Sequence, residues 1–426
     1  MKSSQADPPT STDSDPVSSV SSLPAKSYLP VLISGCLLLV LSFGYRAGFG
    51  LFVQPMSEAN GWGRDVLSLA LGIQNLSWGI FAVIGGGLAD RFGNLRVLLG
   101  GVVLYALGML LMAYSATELQ IITTAGLMVG AGIAGTSFGI VLPAIARAVP
   151  EERRGWAMGM GTAAGSMGQF LVVPFVQVVI DAAGWFQALQ ILSLSAFLMV
   201  LFTVPLARYG GPGDDSDEEQ LRISMTRMAL NAFRVRSYTL LVCGFFVCGF
   251  HVAFITVHMP GYVVDLGFPA YIGAWSISLI GLCNVFGSYL SGTLCGRLAM
   301  RSILSFIYFG RAVVIALFLV LPVTVPGILL FSAAMGFLWL ATVPPTSGLV
   351  ALFFGTRYMT FLYGIVFLSH QLGSFSGIWL GGWLFERTGS YDGIWIAGII
   401  LGLAAAAVHW PIAEKSFAGR LRAAAS

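Results

Sequence analysis

Six ionisable residues stand inside long apolar stretches of this 426-residue chain: Arg46, His251, His258, Arg311, His370 and, close to the end of its stretch, His409. If those stretches lie in lipid, each such group costs at least a few kcal/mol to place there, so a working role is the default expectation. A guanidinium can grip a carboxylate through two parallel hydrogen bonds, which makes Arg46 the leading candidate for holding an anion. The structural alternative is an arginine bonded to backbone carbonyls or stretched towards the membrane surface, and for Arg311 that alternative is the favoured one. Histidine is the side chain that exchanges a proton near neutrality without any special environment. His251 and His258 are seven residues apart and share a helix face. His251 and His370 are the candidates for moving a proton, against the plainer role of neutral hydrogen-bonding partners.

Neutral polar residues in the same stretches include Tyr45, Gln74, Asn75, Gln169, Asn284 and Trp339. Each suits either a substrate contact or a hydrogen bond between helices. Tyr45, Asn75, Gln169 and Asn284 join Arg46 and His370 as candidate substrate contacts. None of the 19 acidic residues falls in the middle of an apolar stretch, so a cationic substrate is disfavoured. A transported proton must then use histidine or the carboxylate of the substrate itself. No phosphate-binding loop, metal-ligand cluster or nucleophile–base pair occurs at a recognisable spacing. Neither a cofactor nor a metal is expected, nor enzymatic chemistry, nor a nucleic-acid partner.

The elements that must position these residues follow from composition. Hydrophobic residues make up 57% and charged residues 10% of the chain, against roughly 25% charged in a soluble domain. Lipid is therefore the solvent for most of it. The 53 glycines suit closely packed membrane helices. Cys36, Cys243, Cys248, Cys283 and Cys295 all sit in apolar stretches, without zinc or disulfide spacing, and read as reduced packing residues. Residues 1–28, rich in Ser, Asp and Pro, read as a disordered tail with no separate cleavable signal.

A crossing needs roughly 20 mostly apolar residues. On that basis helices are predicted near 29–53, 66–89, 97–115, 120–146, 155–180, 185–207, 238–264, 271–296, 302–323, 326–353, 360–385 and 391–412. The polar stretch 208–237 divides them six and six, giving an N-terminal bundle (29–207), a linker (208–237), a C-terminal bundle (238–412) and a tail (413–426). With the N-terminus placed in the cytoplasm, 18 of the 22 Lys and Arg residues fall on the cytoplasmic side and only Arg64 and Arg387 on the other. That asymmetry fits the positive-inside rule, with both termini cytoplasmic. The halves repeat: Gly86 and Gly292, Leu88 and Leu294, and Arg91 and Arg297 are each 206 residues apart, and Gly159 and Gly364, like Gly168 and Gly373, are 205 apart. Two parallel repeats place a site between the halves near the midplane.

The segment Gly86-Gly87-Leu88-Ala89-Asp90-Arg91-Phe92-Gly93-Asn94-Leu95-Arg96 resembles the loop signature between the second and third helices of the major facilitator superfamily. The resemblance covers everything except the tails. It implies an all-α membrane protein, twelve transmembrane helices in two six-helix pseudo-repeats, and a gating latch built from Asp90, Arg91 and Arg96 with Arg297 in the second copy. A finer resemblance, to the monocarboxylate-transporter-like branch, rests on Phe43-Gly44-Tyr45-Arg46-Ala47-Gly48-Phe49-Gly50-Leu51-Phe52 and on Trp62-Gly63-Arg64-Asp65. That branch often carries a cation in its first helix, where Arg46 stands. It often has an arginine in its eighth helix, four residues after a position like Asn284, and here Ser288 stands there instead. The fifth-helix glycines lack the Gly-Pro element typical of drug/proton antiporters in the superfamily.

The expected protein is a secondary carrier of a small organic anion, a monocarboxylate by preference, working by alternating access with a proton or an exchange substrate. It is expected to be a monomer in the cell membrane. An exporter of amphipathic or toxic compounds, using the 12% aromatic content for a greasy cavity, is the first alternative. A non-transporting receptor on the same fold is the second, and short loops offer little to pass a signal on.

Overall fold

The computed structural model describes residues 28–150, 153–207, 225–355 and 359–417, without the side chains of Asp90, Met225, Thr226 and Thr360. Long helices account for nearly all of it. We number the crossings α1 (Leu29–Gly48, continued by Gly50–Asn60), α2 (Arg64–Phe92), α3 (Asn94–Ala113), α4 (Glu118–Ala148), α5 (154–183), α6 (185–207), α7 (Arg236–Asp265), α8 (Ala270–Leu294), α9 (Met300–Val320), α10 (Val325–Phe354), α11 (Met359–Thr388) and α12 (Asp392–His409).

The run Arg154–Ala207 has 54 residues, about 80 Å of helix, far more than one crossing needs. It is two crossings hinged at Gly184, whose φ of 80° is open to glycine and strained for other residues. The predicted helices and the observed ones coincide to within a few residues. The first runs on further, to Asn60, where Gly61 in the left-handed region ends it. Within the predicted linker, residues 208–224 lie outside the described part, and Met225–Phe233 forms a short helix ahead of α7.

Large apolar side chains are exposed in rows on α3 (Val103, Leu107, Leu111), α6 (Leu194, Leu198, Leu201), α9 (Phe309, Val313, Leu317) and α12 (Ile396, Ile400, Leu403). Their three- and four-residue spacing is one helix face turned to lipid. These four helices are peripheral, whereas the middle of α7 is buried almost throughout.

The two halves repeat contact for contact. In the N-terminal half Gly168 of α5 lies against the Val40 carbonyl of α1; 205 or 206 residues on, Gly373 of α11 lies against the Phe246 carbonyl of α7. Ser42 bonds Thr136 at 2.9 Å, and Cys248 bonds Thr342 at 3.2 Å. Gly130 packs on Gln74 and Ser77, and Gly336 on Ile280 and Cys283. Both fourth helices of the repeats break close to that polar pair, α4 at Ser137 and α10 between Trp339 and Thr342.

At position 311, equivalent to Tyr105, the repeat changes character. Tyr105 donates to the Ser42 carbonyl at 2.8 Å. Arg311, fully buried, donates to the carbonyls of Leu338 and Trp339 freed by the break in α10. A cation at a helix C-terminus is favourably placed, so Arg311 has the structural position expected of it.

Because the Gly373–Phe246 contact leaves no room for a Cβ, Gly373→Ala is expected to lower the melting temperature of the detergent-purified protein, at a cost of about 1–3 kcal/mol. Gly364→Ala on the same helix meets open space and is expected to leave it unchanged. Equal melting temperatures for the two variants would remove the contact from the packing account.

Candidate functional site

Three seams join the halves: α2 against α11, α5 against α8, and the end of α1 against α7. Along the first, Arg64 meets Glu386, Gly382 meets Ser68, Gly72 meets Phe375 and Gly79 meets Gln371. Along the second, Gln169 donates to the Ile277 carbonyl at 2.8 Å, Ser278 donates to the Phe170 carbonyl at 2.6 Å, and Asn284 donates to Ser166 at 2.8 Å. Towards the arginine-rich end the seams part. A Cβ on Gly86 or Gly87 of α2, Gly155 or Gly159 of α5, or Gly364 of α11 would meet nothing within 4 Å. The halves are joined at the sparsely charged face and stand apart at these glycines of the arginine-rich end.

Arg64 builds the closed end. Its two terminal nitrogens grip Asp265 at 2.5 and 2.7 Å, a bidentate pair between α2 and α7. Its backbone N–H donates to Glu386 at 2.6 Å, and its guanidinium lies 4.3 Å from the centre of the Phe385 ring. Arg64 also donates to the Tyr391 hydroxyl at 3.3 Å. His258 Nε2 lies 2.8 Å from the Ile378 carbonyl and so must donate, which leaves Nδ1 to accept from Tyr391 at 3.2 Å. Burial pushes the Tyr391 phenol up to about 12, so it remains a donor across the physiological range. This relay spans α2, α7, α11 and the turn before α12. It was not among the expected gating residues. Arg64 stood out in the sequence only as one of two cations on its side, and its partners are 201 and 322 residues away.

Beneath this seal lies a cavity of about 10 Å³, lined by Arg46, Phe49, Leu71, Gln74, Asn75, Ala253, Thr256, Val257 and Ile378. Ten cubic ångströms is roughly the space of one water-sized group. Arg46 donates to Asn75 Oδ1 at 3.1 Å, and Asn75 is oriented by its own donation to the Leu71 carbonyl at 2.9 Å. No carboxylate pairs with Arg46: among the described residues the ion pair recorded is Arg64–Asp265. The guanidinium lies 4.9 Å from the centre of the Trp78 ring. Trp78 continues an aromatic chain, 5.8 Å from Phe43 and 5.3 Å from Phe367, with Phe43 stacked on Phe138 at 4.2 Å and Phe367 stacked on His370 at 5.9 Å.

The structure thus brings Arg46 and Asn75 together and connects them to His370 through Trp78 and Phe367. His370 Nδ1 sits 3.3 Å from Gln371 and 3.4 Å from Ser374. Gln169 and Asn284 lie apart from the cavity, on the α5–α8 seam. Asn284 also accepts from the Leu340 N–H at 2.9 Å and from Ser288 at 3.0 Å. Tyr45 turns away to bond Ser195 of α6 at 2.9 Å. His251 turns to α12, where Nε2 donates to the Gly398 carbonyl at 2.7 Å. Trp339 is buried beside Arg311. At the arginine-rich end, Arg91 and Arg96 are exposed and flank the Phe92 ring at 5.2 and 5.9 Å, and Arg297 is exposed just past α8. The Asp90 side chain lies outside the described residues. The aromatic wall escaped sequence reasoning because an aromatic residue in an apolar helix looks the same whether it faces lipid, core or cavity.

Twelve helical crossings in two repeats, sealed at one face and parted at the other over a buried cation, define a membrane transporter. The chain belongs to the Major Facilitator Superfamily, whose family model matches residues 35–378. It is similar to Monocarboxylate transporter 13 of Bos taurus, 25% identical over 374 residues that cover 84% of this chain and 83% of the relative. It is also similar to the Probable anion transporter 2, chloroplastic, of Oryza sativa subsp. japonica, 27% identical over 45% of this chain and 36% of the relative. In fold it matches the crystal structure of a D-xylose-proton symporter, with a TM-score of 0.70 at 17% identity, covering 90% of this chain and 98% of that one. A bacterial homologue of the human lysosomal transporter Spinster in its inward-facing, unoccupied conformation matches with a TM-score of 0.69 at 13% identity, covering 94% and 97%. The protein is a secondary transporter and not an enzyme.

If the Arg64 relay holds the closed face, Arg64→Gln is expected to open it part of the time. In a background free of native cysteines, Thr256→Cys should then react several-fold faster with a membrane-impermeant thiol reagent added from that face. Equal reaction rates with and without Arg64 would show that the seal rests on other contacts.

Proposed function

We propose that this transporter carries a small organic anion, a monocarboxylate, across the cell membrane by alternating access. The observation that supports this reading best is Arg46: a cation inside the membrane domain, beside a cavity between the halves, with an amide and an aromatic ring for neighbours and no carboxylate to neutralise it. An arginine keeps its charge and offers five N–H donors in a planar fork. One goes to Asn75, and enough remain for a bidentate grip on a carboxylate.

In this reading the arginine-rich face is cytoplasmic, and both termini lie there. The state described is then open to the cytoplasm and closed outside by the Arg64–Asp265 pair. Asp90, Arg91, Arg96 and Arg297 serve the opposite closure, when the inner ends of the helices come together. A proton accompanies the anion, and His370 is the residue we favour for it, since it adjoins the aromatic chain leading to Arg46. His251 is the second candidate, from its position beside Arg311 in the C-terminal half. The names of the sequence relatives, monocarboxylate and anion transporters, support the substrate class, and that of the xylose–proton symporter is consistent with proton coupling on this fold.

Arg46→Ala is expected to abolish saturable uptake of a radiolabelled monocarboxylate into proteoliposomes, and Arg46→Lys to retain a fraction of it at raised KM, because a point charge replaces a fork. Uptake of the same acid by Arg46→Ala with unchanged KM would end the role given to Arg46. With an inward proton gradient the acid is expected to accumulate above equilibrium in the wild type, and a protonophore to collapse that accumulation. Accumulation that ignores the protonophore would replace symport with exchange.

A further inference from the structure

The polar groups around Arg46 offer a ligand very little besides the arginine itself. Gln74 is anchored by its amide nitrogen to the Ala125 carbonyl at 2.9 Å, Asn75 to the Leu71 carbonyl at 2.9 Å, and the Thr256 hydroxyl donates to the Val252 carbonyl at 2.7 Å. The Asn75 oxygen is turned to Arg46 and the Thr256 hydroxyl hydrogen is already engaged, which leaves one further amide N–H each on Gln74 and Asn75 beside the guanidinium. Arg311, the other cation inside the span region, is fully buried in the C-terminal half, bonded to the carbonyls of Leu338 and Trp339 and to Cys248, and it does not line the Arg46 cavity, even though its second terminal nitrogen has no partner there. One fork is therefore available to a ligand, and it matches one singly charged carboxylate.

The rest of the wall is apolar and largely aromatic. Above Arg46 stand Phe49, Leu71, Val257 and Ile378. Below it stand Trp78 and Phe367, with Phe43 and Phe138 beside them. Trp78 belongs to α2 and Phe367 to α11, so their contact crosses between the halves. The two rings meet edge to face at 5.3 Å, and the Trp78 ring lies 4.9 Å from the Arg46 guanidinium, so separating the halves opens a slot walled by a ring edge and a ring face beside that cation. Aromatic rings prefer edge-to-face or offset arrangements with other rings, and such a slot favours a flat ring over a compact, hydrated body.

Resting on the carboxylate-carrier reading, we infer that the preferred substrate is a monocarboxylate with an aromatic body and no second charge: Arg46 holds the carboxylate and the Trp78–Phe367 slot holds the ring. Short hydroxy acids lose the ring contacts and bring a hydroxyl into an apolar slot. Dicarboxylates and phosphate bring a second negative charge to a site with one cation.

The test is uptake by full-length protein in proteoliposomes of radiolabelled phenylacetate, lactate and succinate, in wild type, Arg46→Ala and Phe367→Leu. Wild type is expected to favour phenylacetate over lactate by roughly tenfold or more in kcat/KM and to move no measurable succinate. Phe367→Leu keeps the wall apolar but removes the ring, and is expected to narrow the phenylacetate-to-lactate ratio several-fold without removing the dependence on Arg46. Lactate or succinate carried as well as phenylacetate, with Arg46→Ala inactive, overturns this inference and leaves the carboxylate carrier standing. A ratio unchanged by Phe367→Leu also overturns it, since the ring contact is then not the source of selectivity. Transport of none of the three acids by folded wild type, confirmed by an unchanged melting temperature in their presence, overturns both.

Discussion

Everything in this molecule is hung on the close approach of helix backbones. Lipid tails are as apolar as leucine, so no hydrophobic force drives one membrane helix onto another; van der Waals contact and hydrogen bonds must do it. Gly168 on the Val40 carbonyl and Gly373 on the Phe246 carbonyl are where that contact is tightest. They bind α1 to α5 and α7 to α11 in the same geometry. The Ser42–Thr136 and Cys248–Thr342 bonds sit alongside, joining the first and fourth helices of each half. With each half internally locked, the freedom left to the molecule is motion of one half against the other.

The interface between the halves adds polar side-chain contacts to glycine packing such as Gly382 on Ser68: the bidentate Arg64–Asp265 pair, Glu386 on the Arg64 backbone, and the Gln169, Ser278 and Asn284 bonds to the opposite helix. Partly exposed ion pairs and single hydrogen bonds contribute modestly, on the order of 1 kcal/mol each. A joint held by a handful of such terms can open and close.

Arg46 is the point where this architecture accepts a cost. A guanidinium in the membrane interior is expensive, and here the expense is reduced by Asn75, by the Trp78 ring face and by partial access to the cavity, without a carboxylate. Arg311 solves the same problem in a closed way, by filling the carbonyls of a broken helix. Two arginines of similar depth in the sequence thus end in opposite surroundings, one beside a cavity between the halves and one enclosed within the C-terminal half.

The amino-acid order by itself determined the solvent, the number of crossings and the repeat. Each of these depends on local composition summed over about 20 residues, or on spacings along the chain, and a linear sequence holds both in full. It also singled out Arg46, because a cation within an apolar run is conspicuous wherever it faces. Only the tertiary structure decided which way each polar side chain turns. Tyr45 and Arg46 are adjacent, yet one faces α6 and the other the cavity; His251 was grouped with His370, yet it faces α12. The Arg64 seal and the Trp78–Phe367 wall were out of reach for the same reason. Both join residues some 200 to 300 positions apart, and their pairing is set by how two bundles dock, which no window along the chain contains.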